Sequence, residues 1–218
     1  GPTDIGTFMK EWMSLYESKS GERGIFNRSS AKSQCKKLAD VRGEGHVHRD
    51  PEHRFGTNPC SEIILRDAEF CNLTEVVVRE NDTVESLKRK IRLATILGTW
   101  QSTLTNFRYL SSVWRNNCEE ERLLGVSLTG IMDCETTRCI DKLEFRLEEM
   151  RRVCIDTNKE FAGKIGIPQS AATTCVKPSG TVSQLVDAAS GIHARHNEHY
   201  IRTVRAGNKD PLCQFMKD

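Results

Sequence analysis

The stretch Gly56-Thr57-Asn58-Pro59-Cys60-Ser61-Glu62, followed closely by Phe70-Cys71-Asn72-Leu73-Thr74-Glu75-Val76-Val77-Val78, decides how this chain is read. Thr74 to Val78 is rich in β-branched residues and predicts a buried strand, with Glu62 to Leu65 a shorter one before it. Asn58, Cys60 and Glu62 alternate, so an extended backbone would point all three side chains one way. An amide can orient a hydroxyl, a sulfur can act as nucleophile or radical, and a carboxylate can take a proton. Pro59 has no N–H to give a ladder, which moves the trio from mid-sheet to a loop tip. On spacing alone a blander reading is favoured: a buried Cys beside a turn proline, with an exposed Glu. Cys71 likewise reads as a strand-core residue, or, if the chain folds back as a hairpin, as a second thiol sharing a redox event with Cys60.

Upstream, Arg42 to Pro59 holds Gly, His, Arg, Pro and Asp with almost nothing apolar, a long loop of the kind that is functional or disordered. Before it, Ile5, Phe8, Met9, Trp12, Met13 and Tyr16 recur at helical spacing over Asp4 to Glu17. Ile25-Phe26 resembles the entry to a buried strand, and Ser29 and Ser30 can cap a polar helix to about Asp40. Downstream, Asp82-Thr83 opens a helix to about Leu104, Leu124 to Ile131 reads as a buried strand, and a second long helix runs from Asp141 to Gly163. Ala171 to Val176 reads as a strand that breaks at Pro178-Ser179-Gly180 into a helix from Thr181 to Ala189. Tyr200 to Val204 is a last strand candidate, and Pro211 to Lys217 a last helix. Strands alternating with long helices predict α/β with buried, mostly parallel strands. No repeat or linker divides the 218 residues, so residues 1–218 read as a single domain.

Lys177-Pro178-Ser179-Gly180-Thr181-Val182-Ser183 is an anion-site candidate, with N–H groups and hydroxyls at a helix start; an ordinary Ser/Thr cap explains it equally well. The spacing is not that of a Walker loop. His193, His196 and His199, with His46, His48 and His53, raise a zinc question but lack partners at finger spacing; surface or hydrogen-bonding roles are favoured, and no metal is expected. Lys+Arg 32 against Asp+Glu 30 leaves +2, which argues against a nucleic-acid-binding field. No apolar run is long enough to cross a membrane. Nine cysteines, an odd number and too sparse for a disulfide scaffold, point to a reducing, cytoplasmic setting.

Five stretches in this order resemble the adenosylcobalamin-dependent (class II) ribonucleotide reductases, specifically the monomeric ribonucleoside-triphosphate reductase branch. They are Gly21-Glu22-Arg23-Gly24-Ile25-Phe26-Asn27-Arg28, Asn58-Pro59-Cys60-Ser61-Glu62-Ile63, Phe70 to Arg79, Gly125-Val126-Ser127-Leu128-Thr129-Gly130 and Pro178-Ser179-Gly180-Thr181. The resemblance implies part of a ten-stranded α/β barrel, with a finger loop at about 42–72 carrying a radical cysteine. By that resemblance Cys60 carries a thiyl radical that takes the 3′ hydrogen of the substrate ribose. Glu62 takes the 3′-hydroxyl proton, and Asn58 bonds the sugar hydroxyls. Cys71 is one of two reducing thiols, and Ser179, Gly180, Thr181, Val182 and Ser183 bind the substrate phosphates. The implied cofactor is adenosylcobalamin, the substrate a ribonucleoside triphosphate, and the reductant an external dithiol or thioredoxin-like protein.

The chain also departs from the family. The partner of the Cys71-type thiol, the allosteric region and the C-terminal cysteine tail have no counterpart here. The expectation is therefore a central catalytic portion, starting Gly-Pro without Met, whose turnover needs further reductase segments or a complementary chain. Rivals from other classes are a metal- or nucleic-acid-binding module built on the histidines, an inactive fragment serving as an assembly partner, and, weakest, a cysteine hydrolase using Cys60.

Overall fold

The computed structural model describes residues 3–20, 24–42, 49–201, 203 and 205–217. In chain order, α1 (Ile5–Ser18) and α2 (Arg28–Arg42) precede a hairpin of β1 (Phe55–Thr57) and β2 (Ile64–Arg66). Then come β3 (Asn72–Val77), α3 (Val84–Gln101), α4 (Ser112–Glu121) and β4 (Leu124–Thr129). The short α5 (Glu135–Arg138), the long α6 (Leu143–Ile165), α7 (Thr181–Leu185) and α8 (Pro211–Phe215) follow. The α/β class expected from the sequence is thus present, on two small sheets.

The β-branched run does what its composition predicts. β3 pairs in parallel with β4, from Asn72 opposite Leu124 to Val77 opposite Thr129. The crossover includes α3, whose first turn is closed by a capping box between Thr83 and Ser86. Leu87, Ile91 and Ala94 of α3 pack with Met150 and Cys154 of α6 against Val76, Val78 and Val126. Full burial of a Leu or Ile contributes about 1.5–3 kcal/mol each. Gly98 permits this approach, because a side chain there would lie 2.5 Å from Leu124 Cδ2.

The opposite face of the same strands carries the hairpin. Cys71, Leu73 and Cys175 pack with Ile63, Leu65, Leu123 and Ala171. One face therefore serves the helices and the other the Asn58–Glu62 turn.

Several local expectations are corrected. Ala171 to Val176 lies beside β4 and receives its N–H groups, Leu124 to Ala172 O at 2.9 Å and Val126 to Thr173 O at 3.0 Å. It makes only one parallel bridge, Val126 with Thr174, rather than a full strand. The Ala171 N–H is drawn to Glu121 O at one end, and Pro178 has no N–H to extend the ladder at the other. Ile25-Phe26 and the described part of Tyr200 to Val204 form no strand, having no ladder to join. α3 stops at Gln101, where Ser102 and Thr103 turn their hydroxyls back onto Thr99 and Trp100 carbonyls. α4 was not expected at all. The cap of α2 is Asn27, whose Oδ1 takes the Ser30 N–H at 3.0 Å, rather than Ser29 or Ser30. α1 forms as its periodicity predicts, yet none of its residues is buried.

The hairpin is moored by a buried charge cluster. The Arg66 N–H donates to Glu69 Oε2 at 2.8 Å, and Arg66 Nη1 and Nη2 donate to Glu120 Oε2 and Asn117 O. Arg49 sets Nε 2.7 Å from Glu121 Oε2 and Nη2 3.4 Å from Glu69 Oε2, with its guanidinium over the Phe55 ring. Among the described residues no helix is long and apolar enough to cross a membrane.

Candidate active site

Residues 58–63 close the hairpin as a tight turn. Asn58 organises it: its carbonyl accepts the Ser61 N–H at 2.9 Å and its Oδ1 the Ile63 N–H at 3.0 Å. Ser61 sits at φ 63°, in the left-handed region. The extended, one-sided arrangement read from the alternation is therefore corrected. The backbone reverses between Asn58 and Ile63, leaving Cys60 exposed and Glu62 turned inward with its side chain 2% exposed. The loop-tip placement inferred from Pro59 holds, whereas the exposed Glu of the blander reading does not.

Glu62 is held from two sides. Its Oε1 accepts from Lys177 Nζ at 3.2 Å, and the Asn58 side chain acts on the carboxylate from within the turn. Burial by itself would push the carboxyl pKa up. The polar Asn58 side chain, the carboxyl's own backbone N–H and Lys177 more than offset that and hold it below the ordinary carboxylate value. At neutral pH the group is thus a carboxylate, able to take a proton. Its Oε2 is buried without a hydrogen-bond partner. Glu75 Oε1 and Ser127 Oγ, on residues directly opposite in the β3–β4 register, are also buried and unpartnered. Native interiors rarely leave such atoms unpaired.

Cys71 lies just before β3, and burial, then the neighbouring Cys175, pushes its pKa far above the ordinary thiol value. Burial, followed by the charge of Glu62, pushes Cys175 up to about 12. Both sulfurs border the place where a Gly125 side chain would sit, Cys175 Sγ at 3.1 Å and Cys71 Sγ at 3.2 Å. The absence of a Gly125 side chain makes room for both. Their backbones flank β4 on opposite sides, about two strand spacings or ~9.6 Å apart, beyond the usual Cα separation of a disulfide. Cys175 read in the sequence as one residue of a buried strand, and nothing local there marked it as a neighbour of Cys71.

The five candidate phosphate residues divide into two kinds. Ser179 and Ser183 are buried and bonded within the turn: Ser179 Oγ accepts the Ser183 N–H at 3.1 Å, and Ser183 Oγ donates to Ser179 and Gly180 carbonyls. Gly180, Thr181 and Val182 are exposed. Gly180 and Thr181, but not Val182, border a cleft of about 720 Å³ that also reaches Ser190, His196 and Tyr200. The expected helix to Ala189 ends at Leu185. Ser190 Oγ donates to Ser179 O, tying the turn to the following loop.

His193, His196 and His199 are exposed; His193 Nδ1 lies 3.2 Å from Ser190 O, and His196 stacks edge-on to Tyr200. His46 and His48 fall outside the described residues, as do Gly21, Glu22 and Arg23 of the first matching stretch. Among the described residues no group of three or more His, Cys, Asp or Glu is placed to hold a metal ion.

No protein-family model matches the chain. It is 29% identical over 186 residues to the adenosylcobalamin-dependent ribonucleoside-triphosphate reductase of Euglena gracilis, covering 82% of this chain and 25% of that protein. It is 30% identical over 225 residues to the protein of the same name from Lactobacillus helveticus, covering 91% of this chain and 29% of the relative. The chain thus spans well under a third of the length of these curated relatives. A crystal structure of a B12-dependent (class II) ribonucleotide reductase superposes with a TM-score of 0.55 at 23% identity, covering 77% of this chain and 29% of that one. That likeness establishes the fold relationship, and the sequence similarity carries the relationship to these reductases across most of the chain.

Proposed function

We propose that this chain is a catalytic segment of an adenosylcobalamin-dependent ribonucleotide reductase acting on ribonucleoside triphosphates for DNA synthesis. On this reading residues 1–218 form part of one ten-stranded α/β barrel, with residues 42–72 as its finger loop, in a reducing cytoplasmic setting. The observation that carries the reading is one turn that exposes a thiol, Cys60, beside a buried ionised carboxylate, Glu62, whose Oε2 has no partner.

Adenosylcobalamin, when bound, supplies the radical that starts the reaction, and exposed Cys60 is the residue that would face it. Cys60, once its own S–H hydrogen has been given up to that radical, takes the hydrogen atom from C3′ of the ribose, so a C3′–H bond breaks as the S–H bond re-forms. Glu62 accepts the 3′-hydroxyl proton at its open Oε2. Asn58 has committed one Oδ1 lone pair to Ile63, leaving the other lone pair and its amide hydrogens for the sugar hydroxyls. Cys71, held protonated by its surroundings, is one of two thiols that reduce C2′ as the 2′-hydroxyl leaves as water, and the two end as a disulfide. A dithiol or thioredoxin-like reductant then reopens it. The strand spacing across β4 argues against Cys175 as the second thiol, which we assign to further reductase segments or a complementary chain. Gly180, Thr181 and Val182 receive the phosphates, with Ser179 and Ser183 shaping the turn beneath them.

The test is tritium release from a 3′-tritiated ribonucleoside triphosphate, in a system reconstituted with cofactor, dithiol and the remaining reductase segments. Cys60→Ala is expected to abolish release. Release that survives the substitution ends the reading.

A further inference from the structure

Lys177 entered the sequence reading only as the residue in front of a turn, yet it is the cation on which the candidate site closes. Its ammonium reaches Glu62, 115 positions away in sequence, at 3.2 Å, and the pair joins the Cys60 turn to the 178–183 turn. We infer that Lys177 is a positioning residue for Glu62: it holds the carboxylate ionised and fixes it beneath Cys60. The inference deepens the reductase reading and rests on it for the reaction served, while its geometry stands on its own.

Three observations carry it. First, the backbone that mounts Lys177 is fixed on both sides. Two residues upstream, the Cys175 N–H donates to Val126 O at 3.2 Å. Gly191, at φ 51°, packs so closely that a side chain there would come within 2.6 Å of Lys177 O. A lysine on so firmly held a mount loses less conformational freedom in reaching one acceptor than a lysine on a loose loop. Second, the pair is asymmetric. Glu62 is nearly fully buried, Lys177 is about a quarter exposed, and the ammonium occupies Oε1 while Oε2 stays open. The pair thus leaves an acceptor oxygen in the same turn as the exposed thiol. Third, Lys177 is the cation that acts directly on Glu62. The surrounding titratable groups are the thiols Cys71 and Cys175, which feel Glu62, Cys60, which acts on Lys177, and the carboxylates Glu75 and Glu69 with Arg49, which act on those buried thiols. Buried Cys71 and Cys175 are protonated at neutral pH, so it is Lys177 that offsets the cost of burying the carboxylate. The same pairing raises the Lys177 pKa against its own partial burial.

The experiment is a carboxyl-carbon NMR titration of Glu62 in the 218-residue chain, comparing wild type with Lys177→Met and Lys177→Arg. The Met variant is expected to raise the Glu62 midpoint by about one unit or more, and the Arg variant to keep it near the wild-type value. A Lys177→Met chain that folds, by its amide spectrum, and titrates Glu62 as wild type does overturns the inference. Should Lys177→Met fail to fold, the reciprocal measurement decides: in Glu62→Gln the Lys177 side-chain titration must fall toward that of an ordinary lysine, and an unchanged midpoint is equally fatal. Neither titration needs turnover. Failure of the reductase reading therefore appears only in the tritium assay, and failure of this inference only here.

Discussion

Two buried carboxylate clusters lie on either side of the same hairpin, and they differ in how completely they are paired. At its root, Glu69 and Glu121 meet Arg49 and Arg66, all four side chains at most 6% exposed, with Glu120 and a backbone carbonyl taking further guanidinium bonds. At its tip, Glu62 meets one ammonium and keeps one oxygen open. Both sites remove carboxylates from water, at a cost recovered only through close cations and hydrogen bonds. The root uses its donors to hold two distant segments together, Arg49 ahead of β1 and Glu121 at the end of α4. The tip stops short of saturation beside an exposed thiol. Every oxygen of Glu69 and Glu121 lies within 3.4 Å of a guanidinium nitrogen, although Glu121 Oε2 and Arg49 Nε make no hydrogen bond, whereas Glu62 meets its ammonium through Oε1 alone.

The largest expected effect breaks the tip without touching the root. Glu62→Gln keeps the shape and removes the base, so the reconstituted rate is expected to fall about 10²–10⁴-fold. Chemical denaturation should meanwhile show a smaller loss of stability than removal of a root carboxylate. A large loss of stability with the rate preserved would reverse the roles assigned to the two clusters.

The converse comes next. Glu121→Ala leaves Arg49 buried beside a single remaining carboxylate and is expected to cost about 3–5 kcal/mol of stability. A denaturation midpoint close to wild type would mean the root cluster is no mooring. A milder variant sharpens the contrast between the two faces of the sheet. Gly125→Ala adds one methyl where Leu73 Cδ2 would stand 2.5 Å away and both sulfurs just beyond 3 Å. Overpacking of that kind costs about 1–3 kcal/mol, and it should appear as a lower thermal midpoint together with changed alkylation rates at Cys71 and Cys175.

The parts of this arrangement legible in the sequence were those set by neighbours along the chain. The run from Thr74 to Val78 gave its strand, Asp82-Thr83 its helix start, and Pro59 the loop tip, because each rests on local backbone chemistry. Glu62 was named by its spacing from Cys60, but its inward turn was not, since that depends on Ser61 adopting a left-handed backbone and on Asn58 closing the turn. Cys175 was not legible as a site residue, and Lys177 only as the first residue of the anion-site candidate, because what brings both to Glu62 is a bridge to β4 from a segment more than a hundred residues beyond the turn they serve. The root cluster escaped for the same reason: Arg49, Arg66, Glu69 and Glu121 are ordinary charges until the hairpin docks on α4. The periodicity of α1 predicted a helix correctly, but periodicity cannot say what covers the apolar face, and none of that helix is buried.

The smallest effect separates the clusters by pH. Burial, reinforced by the adjacent Glu121, raises the Glu69 pKa from the ordinary 4.5 to about 7. A carboxyl whose folded pKa lies above its unfolded value binds more protons when folded, so it stabilises fully below about pH 4.5 and loses that contribution as pH rises through about 7. Glu62 has the opposite sign. Its folded pKa is depressed, so its contribution is present above the ordinary carboxylate value and lost as pH falls through the lowered one. The two signs act in different windows, and between about pH 5 and 7 only Glu69 is changing. Stability measured across that interval is expected to decline with rising pH by an amount of order 1 kcal/mol, and Glu69→Gln should flatten the slope. Glu62→Gln should leave the slope intact. A slope that vanished in the Glu62 variant instead would place the titrating carboxyl at the tip and remove the distinction between a root faced by two guanidinium groups and a tip faced by one ammonium.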